Sequence, residues 1–101
     1  MASKKAFAIH PGQILREELM KPLGLSCYRL AKELHLSSPR VHEIVLEKRS
    51  ITADTAIRLA RYFGTSAQVW MNLQAEYDIR QAETKAVNIA KIRPRMSREV
   101  A

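Results

Sequence analysis

Apolar residues recur at helical spacing through most of the chain, and polar or turn-forming residues divide them into five segments. Ile14, Leu15 and Leu19 form a stripe that begins behind His10-Pro11-Gly12. Pro11 suits a first helical turn because its missing N–H would be unpaired there anyway. This stripe ends at Pro22, with Leu23-Gly24 as a stop. Ser26 and Ser37 are placed to cap two short helices over 27–34 and 38–45, and Pro39 falls in the first turn of the second. Thr52 opens a fourth helix on Ala56, Leu59, Ala60 and Phe63, which Gly64 closes. Ser66 caps a fifth on Trp70, Leu73 and Tyr77, whose helical composition persists to about residue 83, or as far as 90, before Pro94 breaks it. β-branched runs are scarce, so the pattern predicts an all-α, five-helix domain over 10–83, with a flexible arm at 1–9 and a basic extension at 84–101.

The segment Leu25–Glu47 is the most specific part of this pattern. Leu30, Ala31 and Leu34 share one helical face, Leu36 lies in the connecting turn, and Val41 and Ile44 share the next face. Ala31 is small where a second helix must cross closely. The polar residues of the second helix are left facing outward. An ordinary αα-hairpin in a small bundle is the alternative reading, and the close spacing of Ala31, Leu36, Val41 and Ile44 with a hydroxyl-rich start to the third helix favours a helix-turn-helix at about 27–45. His35 stands in the turn, where the backbone is commonly left-handed and a glycine would often sit.

Charge strengthens the nucleic-acid reading. Seventeen Lys and Arg against ten Asp and Glu give a net charge of +7, which attracts polyanions. The surplus is greatest at the end, where Lys85, Lys91, Arg93, Arg95 and Arg98 oppose Glu99 alone. On this reading the exposed face of the third helix, Ser38, Arg40, His42 and Glu43, reads base edges, with Arg40 suited to guanine. Phosphates fall to the starts of the second and third helices, Ser26, Cys27, Tyr28 and Ser37, and to Lys48 and Arg49 in the basic connection LEKRSI that follows. Val69, Met71 and Ile79 give the fifth helix more apolar surface than a peripheral helix needs, which implies a partner, most simply a second copy of the chain.

Other chemistries find little support. Cys27, His10, His35 and His42 show no metal-ligand spacing, and no glycine-rich phosphate loop, nucleophile elbow or catalytic carboxylate pair is present. No metal, cofactor or enzymatic activity is expected. A helix N-terminus could lower the pKa of Cys27 and make it redox-active, but a plain small residue near the DNA backbone is the simpler reading. Lacking a long apolar run and a signal-peptide pattern, and holding one cysteine, the chain is expected to be soluble and cytoplasmic.

Three segments in this order, HPGQILREELMKPLGLS at 10–26, the helix-turn-helix itself, and ITADTAIRLARYFGTSAQVWMNLQAEYDI at 51–79, closely resemble HigA/VapI-type antitoxins. These belong to the XRE, or lambda-repressor/Cro-like, group of helix-turn-helix proteins. The resemblance covers roughly residues 9–83 and implies a lambda-repressor-like fold. It also implies a dimer on a palindromic operator in the protein's own promoter, and neutralisation of a RelE-like ribonuclease toxin, HigB. Family members often carry Gln where this chain has Cys27, and Gly where it has His35. The first departure puts one phosphate contact in doubt; the second alters the turn without loss of the fold. An XRE-type repressor without a toxin, and a protein–protein adaptor built on the same bundle, are the alternatives these residues leave open.

Overall fold

The computed structural model describes residues 9–96; apart from Ile9, the expected arm lies outside the described residues, as does the end of the basic extension. Five helices form. The first, α1, joins α-helical Pro11–Ile14, π-helical Leu15–Met20 and α-helical Lys21–Leu23. Then come α2 Cys27–Leu34, α3 Ser38–Val45, α4 Ala53–Phe63 and α5 Ala67–Lys85, with a 3₁₀ turn at Ile89–Lys91. The structure thus ends α5 at Lys85 and adds a turn that the sequence pattern does not predict. It also carries α1 through Pro22. The ring of Pro22 would press on the carbonyl four residues back in a straight α-helix. In the wider register just before it, Lys21 N–H donates to the Arg16 carbonyl five residues back.

The expected N-caps form. Ser26 Oγ accepts from Arg29 N–H at 3.0 Å, Ser37 Oγ from Arg40 N–H at 3.3 Å, Thr52 Oγ1 from Thr55 N–H at 3.3 Å and Ser66 Oγ from Val69 N–H at 3.1 Å. Each such cap is worth about 1 kcal/mol. The first four helices close through a left-handed residue, Gly24 (φ +65°), His35 (φ +58°), Glu47 (φ +64°) and Gly64 (φ +75°), whereas α5 ends in extended backbone at Ala86. The next residue's N–H then reaches back to a carbonyl of the last turn, Leu36 to Ala31 at 2.9 Å and Lys48 to Glu43 at 2.8 Å. The strain expected at His35 is present, and Glu47 carries the same strain.

Leu15, Leu30, Leu34, Val41, Ile44, Ile51, Leu59 and Trp70 are buried in one core, with Ile14, Leu19, Leu36, Phe63 and Leu73 packed against it. Ala31 is buried among them where α2 meets α3, as its size requires. Trp70 Nε1 donates to Thr65 Oγ1 at 2.8 Å, so the largest core side chain buries no unpaired donor.

α1 is set against α3 by backbone as much as by side chains. His10 is only 3% exposed. Its Nδ1 accepts from Gly12 N–H at 2.8 Å, and its ring meets that of Tyr77 edge-on, centroids 4.9 Å apart. The backbone of Arg49 lies near enough to the ring to pull its pKa upward. A Cβ on Gly12 would drive into the Ile44 carbonyl of α3, whereas one on Gly24 would meet nothing within 4 Å. Gly12→Ala is therefore expected to destabilise through overlap and Gly24→Ala through its positive φ alone, about 1–2 kcal/mol. Urea unfolding should show the larger loss for Gly12→Ala, and equal losses would mean that α1 does not sit on α3 this closely.

Burial lowers the pKa of His10 below its ordinary value, against the opposing pull of Glu47, Asp78 and the Arg49 backbone. The unfolded chain then takes up the proton first as pH falls, so the stability held by neutral His10 is intact above about 6.5 and drains away below it. Thermal unfolding from pH 7.5 to 5 should show this component, and His10→Asn, which keeps a capping oxygen but does not titrate, should lose it. Parallel profiles for the two proteins would exclude His10 as its source.

Candidate nucleic-acid interface

α3 buries Val41, Ile44 and Val45. At 100° per residue its opposite face is centred on Pro39, Glu43 and Leu46, with Arg40 and His42 on the flanks. His42 is exposed, and Ser38, Arg40 and Glu43 are half-buried. Among the described residues, the side chains of Arg40, His42 and Lys48 enter no hydrogen bond or ion pair. Leu46, at 47% exposure, extends this face with an apolar group that the assignment of 46–51 to a basic connection misses. The same rotation from Val41 and Ile44 would have found it in the sequence.

The two helix starts differ in what they offer an anion. In α2, Ser26 takes the Arg29 N–H, and the Leu30 N–H donates to the Ser26 carbonyl. The N–H groups of Cys27 and Tyr28 have no acceptor within the helix. In α3 the Ser37 hydroxyl takes the Arg40 N–H, and Pro39 has none to give. Only Ser38 N–H remains there. Both serines use their oxygens as caps. Tyr28 is 66% exposed, with the Lys32 ammonium 6.0 Å from its ring centroid, so its phenol faces solvent beside a cation.

Cys27 does not match the redox idea. Its side chain is half-buried against the core, and burial raises the thiol pKa, the reverse of activation by a helix terminus. What Cys27 keeps to offer a phosphate is its backbone N–H.

The loop after α3 is held from three sides. Arg16 in α1 donates through Nη1 to the Val45 carbonyl, through Nη2 to Glu47 Oε2 at 3.2 Å and through Nε to Glu17 Oε2 at 2.9 Å. Glu17 first, then Glu47, favours the charged guanidinium and raises its pKa. Gln74 of α5, also buried, accepts from Ile51 N–H at 2.8 Å and donates to Ser50 Oγ and Asp78 Oδ1. His10 meets the backbone of Arg49. None of these three anchors stands out in the sequence, because their partners lie 23 or more residues away. Lys48 is left exposed, while Arg49 Nε donates to Glu43 Oε1 at 2.7 Å, which joins a residue expected to read bases to one expected to touch phosphate.

The apolar set expected on α5 divides. Val69 and Ile79 are exposed, whereas Met71 packs against the core and is not a free surface residue. Among the described residues no cluster of three metal-ligating side chains occurs, and no helix is long and apolar enough to cross a membrane.

Comparison with known proteins fits this geometry. The helix-turn-helix family profile matches residues 16–70. Virulence-associated protein I of Dichelobacter nodosus is 60% identical over 84 residues, which cover 81% of this chain and 78% of that protein. The structure of Pseudomonas aeruginosa antitoxin HigA with the higBA promoter superposes with a TM-score of 0.82 at 47% identity, over 88% of this chain and 99% of that one. An addiction module antidote protein of the HigA family from Coxiella burnetii gives 0.76 at 47% identity, over 89% and 96%. The chain belongs to the XRE-type helix-turn-helix family, on its branch of HigA- and VapI-type antitoxins.

Proposed function

We propose that this protein is a DNA-binding antitoxin that represses its own toxin–antitoxin operon and neutralises a RelE/HigB-like ribonuclease. The observation that carries the DNA half is the outer face of α3, where Arg40 and His42 stand without protein partners among the described residues. Beside that face lie the unpaired N–H groups at the start of α2 and the exposed Lys48. The fold that carries this face superposes on a relative of 47% identity whose structure was solved with promoter DNA. Ser38, Arg40, His42 and Glu43 read bases. Tyr28, Lys48, Arg49 and the helix starts at Ser26, Cys27 and Ser37 hold phosphates. One recognition helix covers only a short site, so two copies act on a palindromic operator, with Val69 and Ile79 as the surface between them. Residues 10–83 are the DNA-binding unit, 84–101 a basic extension, and the protein works in the cytoplasm without enzymatic activity.

In gel-shift titrations at fixed salt, Arg40→Ala is expected to lose about 1–3 kcal/mol of discrimination between its promoter and random duplex. Lys48→Ala should weaken both complexes alike and make the salt slope shallower by about 0.9. Equal losses on both DNAs for Arg40→Ala would reduce it to a phosphate contact. The toxin half is tested by co-expression with the adjacent reading frame. A ribonuclease that co-purifies and loses its toxicity is the expected result, and a chain that represses without capturing one would be a repressor only.

A further inference from the structure

The backbone on both sides of Arg49 is fixed by the fold. The left-handed Glu47 turns the chain back at the end of α3, and Lys48 N–H closes onto the Glu43 carbonyl at 2.8 Å. The Arg49 backbone meets buried His10, and Ile51 N–H is fixed on Gln74 two residues later. Its guanidinium is thereby returned over the outer face of α3, where Nε reaches Glu43 Oε1 at 2.7 Å. Both side chains are 45% exposed, so burial locks neither of them.

A carboxylate near the centre of a DNA-reading face is repelled by phosphates unless it is neutralised. Two partners are within its chemistry: the arginine it now holds, which cancels its charge, or a base-edge amino group such as cytosine N4, whose donated hydrogen bond offsets the repulsion. The exposed ion pair is worth only about 0–1 kcal/mol, and a well-made base contact about 1–3. The first can therefore be exchanged for the second.

Building on the DNA-binding reading above, we infer that Glu43 is a specificity-determining residue that withholds Arg49 from the phosphate backbone on non-cognate DNA. On cognate DNA a base amino group takes Glu43, and the freed guanidinium swings to a phosphate. Base recognition and one phosphate contact are then a single event. Non-cognate DNA sees a neutral pair and gains nothing from Arg49.

The test is the salt dependence of binding to the protein's own promoter fragment and to a random duplex of equal length. Wild type, Glu43→Gln, Arg49→Ala and the double variant are compared, with circular dichroism to check that each keeps its helical content. Each phosphate newly neutralised steepens the slope of log affinity against log salt by about 0.9, about eightfold in affinity per tenfold change in salt. Glu43→Gln is close in size but releases Arg49 everywhere, so its random-duplex slope should steepen by that amount and its specificity ratio should fall. Arg49→Ala should flatten the promoter slope by the same amount, but it bares the Glu43 carboxylate on random duplex, so the double variant, which removes both charges, is the reference there. The double variant should match wild type on random duplex. Equal flattening on both DNAs by the double variant, or an unchanged random-duplex slope for Glu43→Gln, would overturn the coupling while leaving DNA binding intact. If wild type binds neither DNA in a salt-dependent way, the DNA-binding reading falls and the coupling with it.

Discussion

The carboxyl end of α3 is the point on which the rest of the structure depends. An eight-residue helix is too short to persist on its own, and its last carbonyls have no partners within it. Here they are satisfied from outside the helix. Arg16 takes the Val45 carbonyl, Glu47 N–H the Ile44 carbonyl and Lys48 N–H the Glu43 carbonyl, while Gly12 lets α1 lie directly on Ile44. α2 is finished in a related way by Arg58, which donates to the carbonyls of Leu34 and His35 and is steadied by Asp54. Fixing the recognition helix from its carboxyl end leaves its amino end and outer face free of structural duty. Those are the parts that the proposed function sets against DNA.

This arrangement also determines how much of the +7 charge is available to a polyanion. Arg16 is bound to Glu17 and Glu47, and its charge serves the fold. Arg29–Glu33, Arg58–Asp54 and Arg80–Glu76 are pairs one helical turn apart, each worth a few tenths of a kcal/mol and locally neutral. In the helix-turn-helix and its loop, Lys32, Arg40 and Lys48 have no acidic partner among the described residues. The field that DNA meets is therefore built from a few placed charges and the helix starts, and the net charge alone overstates it.

What the sequence made legible was the part governed by short range. Serine and threonine caps, glycine stops and apolar stripes each act within one or two turns, so their positions can be read directly, and Ser26, Ser37, Thr52, Ser66, Gly24 and Gly64 all behave accordingly. Polar anchors with distant partners were not legible. Nothing local distinguishes Arg16 or Gln74 from solvent-exposed residues, and His10 looked like punctuation before Pro11. Glu47 carries no local signal, because its left-handed backbone is imposed by the closing hydrogen bonds on a residue type that does not favour it. The Glu43–Arg49 pair spans six residues across a helix end, a spacing that no helical periodicity would suggest. Cys27 was read by its position at a helix start, whereas the direction of its side chain into the core decides its chemistry.

Pro39 shows how one residue redistributes work across the interface. By removing an N–H from the first turn of α3, it leaves that helix with one backbone donor for an anion, while α2 keeps two. Backbone anchoring is thereby weighted toward α2, beside the exposed phenol of Tyr28 and the ammonium of Lys32. α3 is correspondingly less committed to phosphate. Its outer face carries chemically unlike groups side by side: an apolar Leu46, an acceptor in Glu43, and donors in Arg40 and His42. Methyl groups, base amino groups and purine acceptors each find a counterpart among them. A helix with one open backbone donor but this range of groups suits the base-reading role proposed for it, with α2 and the exposed Lys48 beside it as the cationic and N–H-bearing elements.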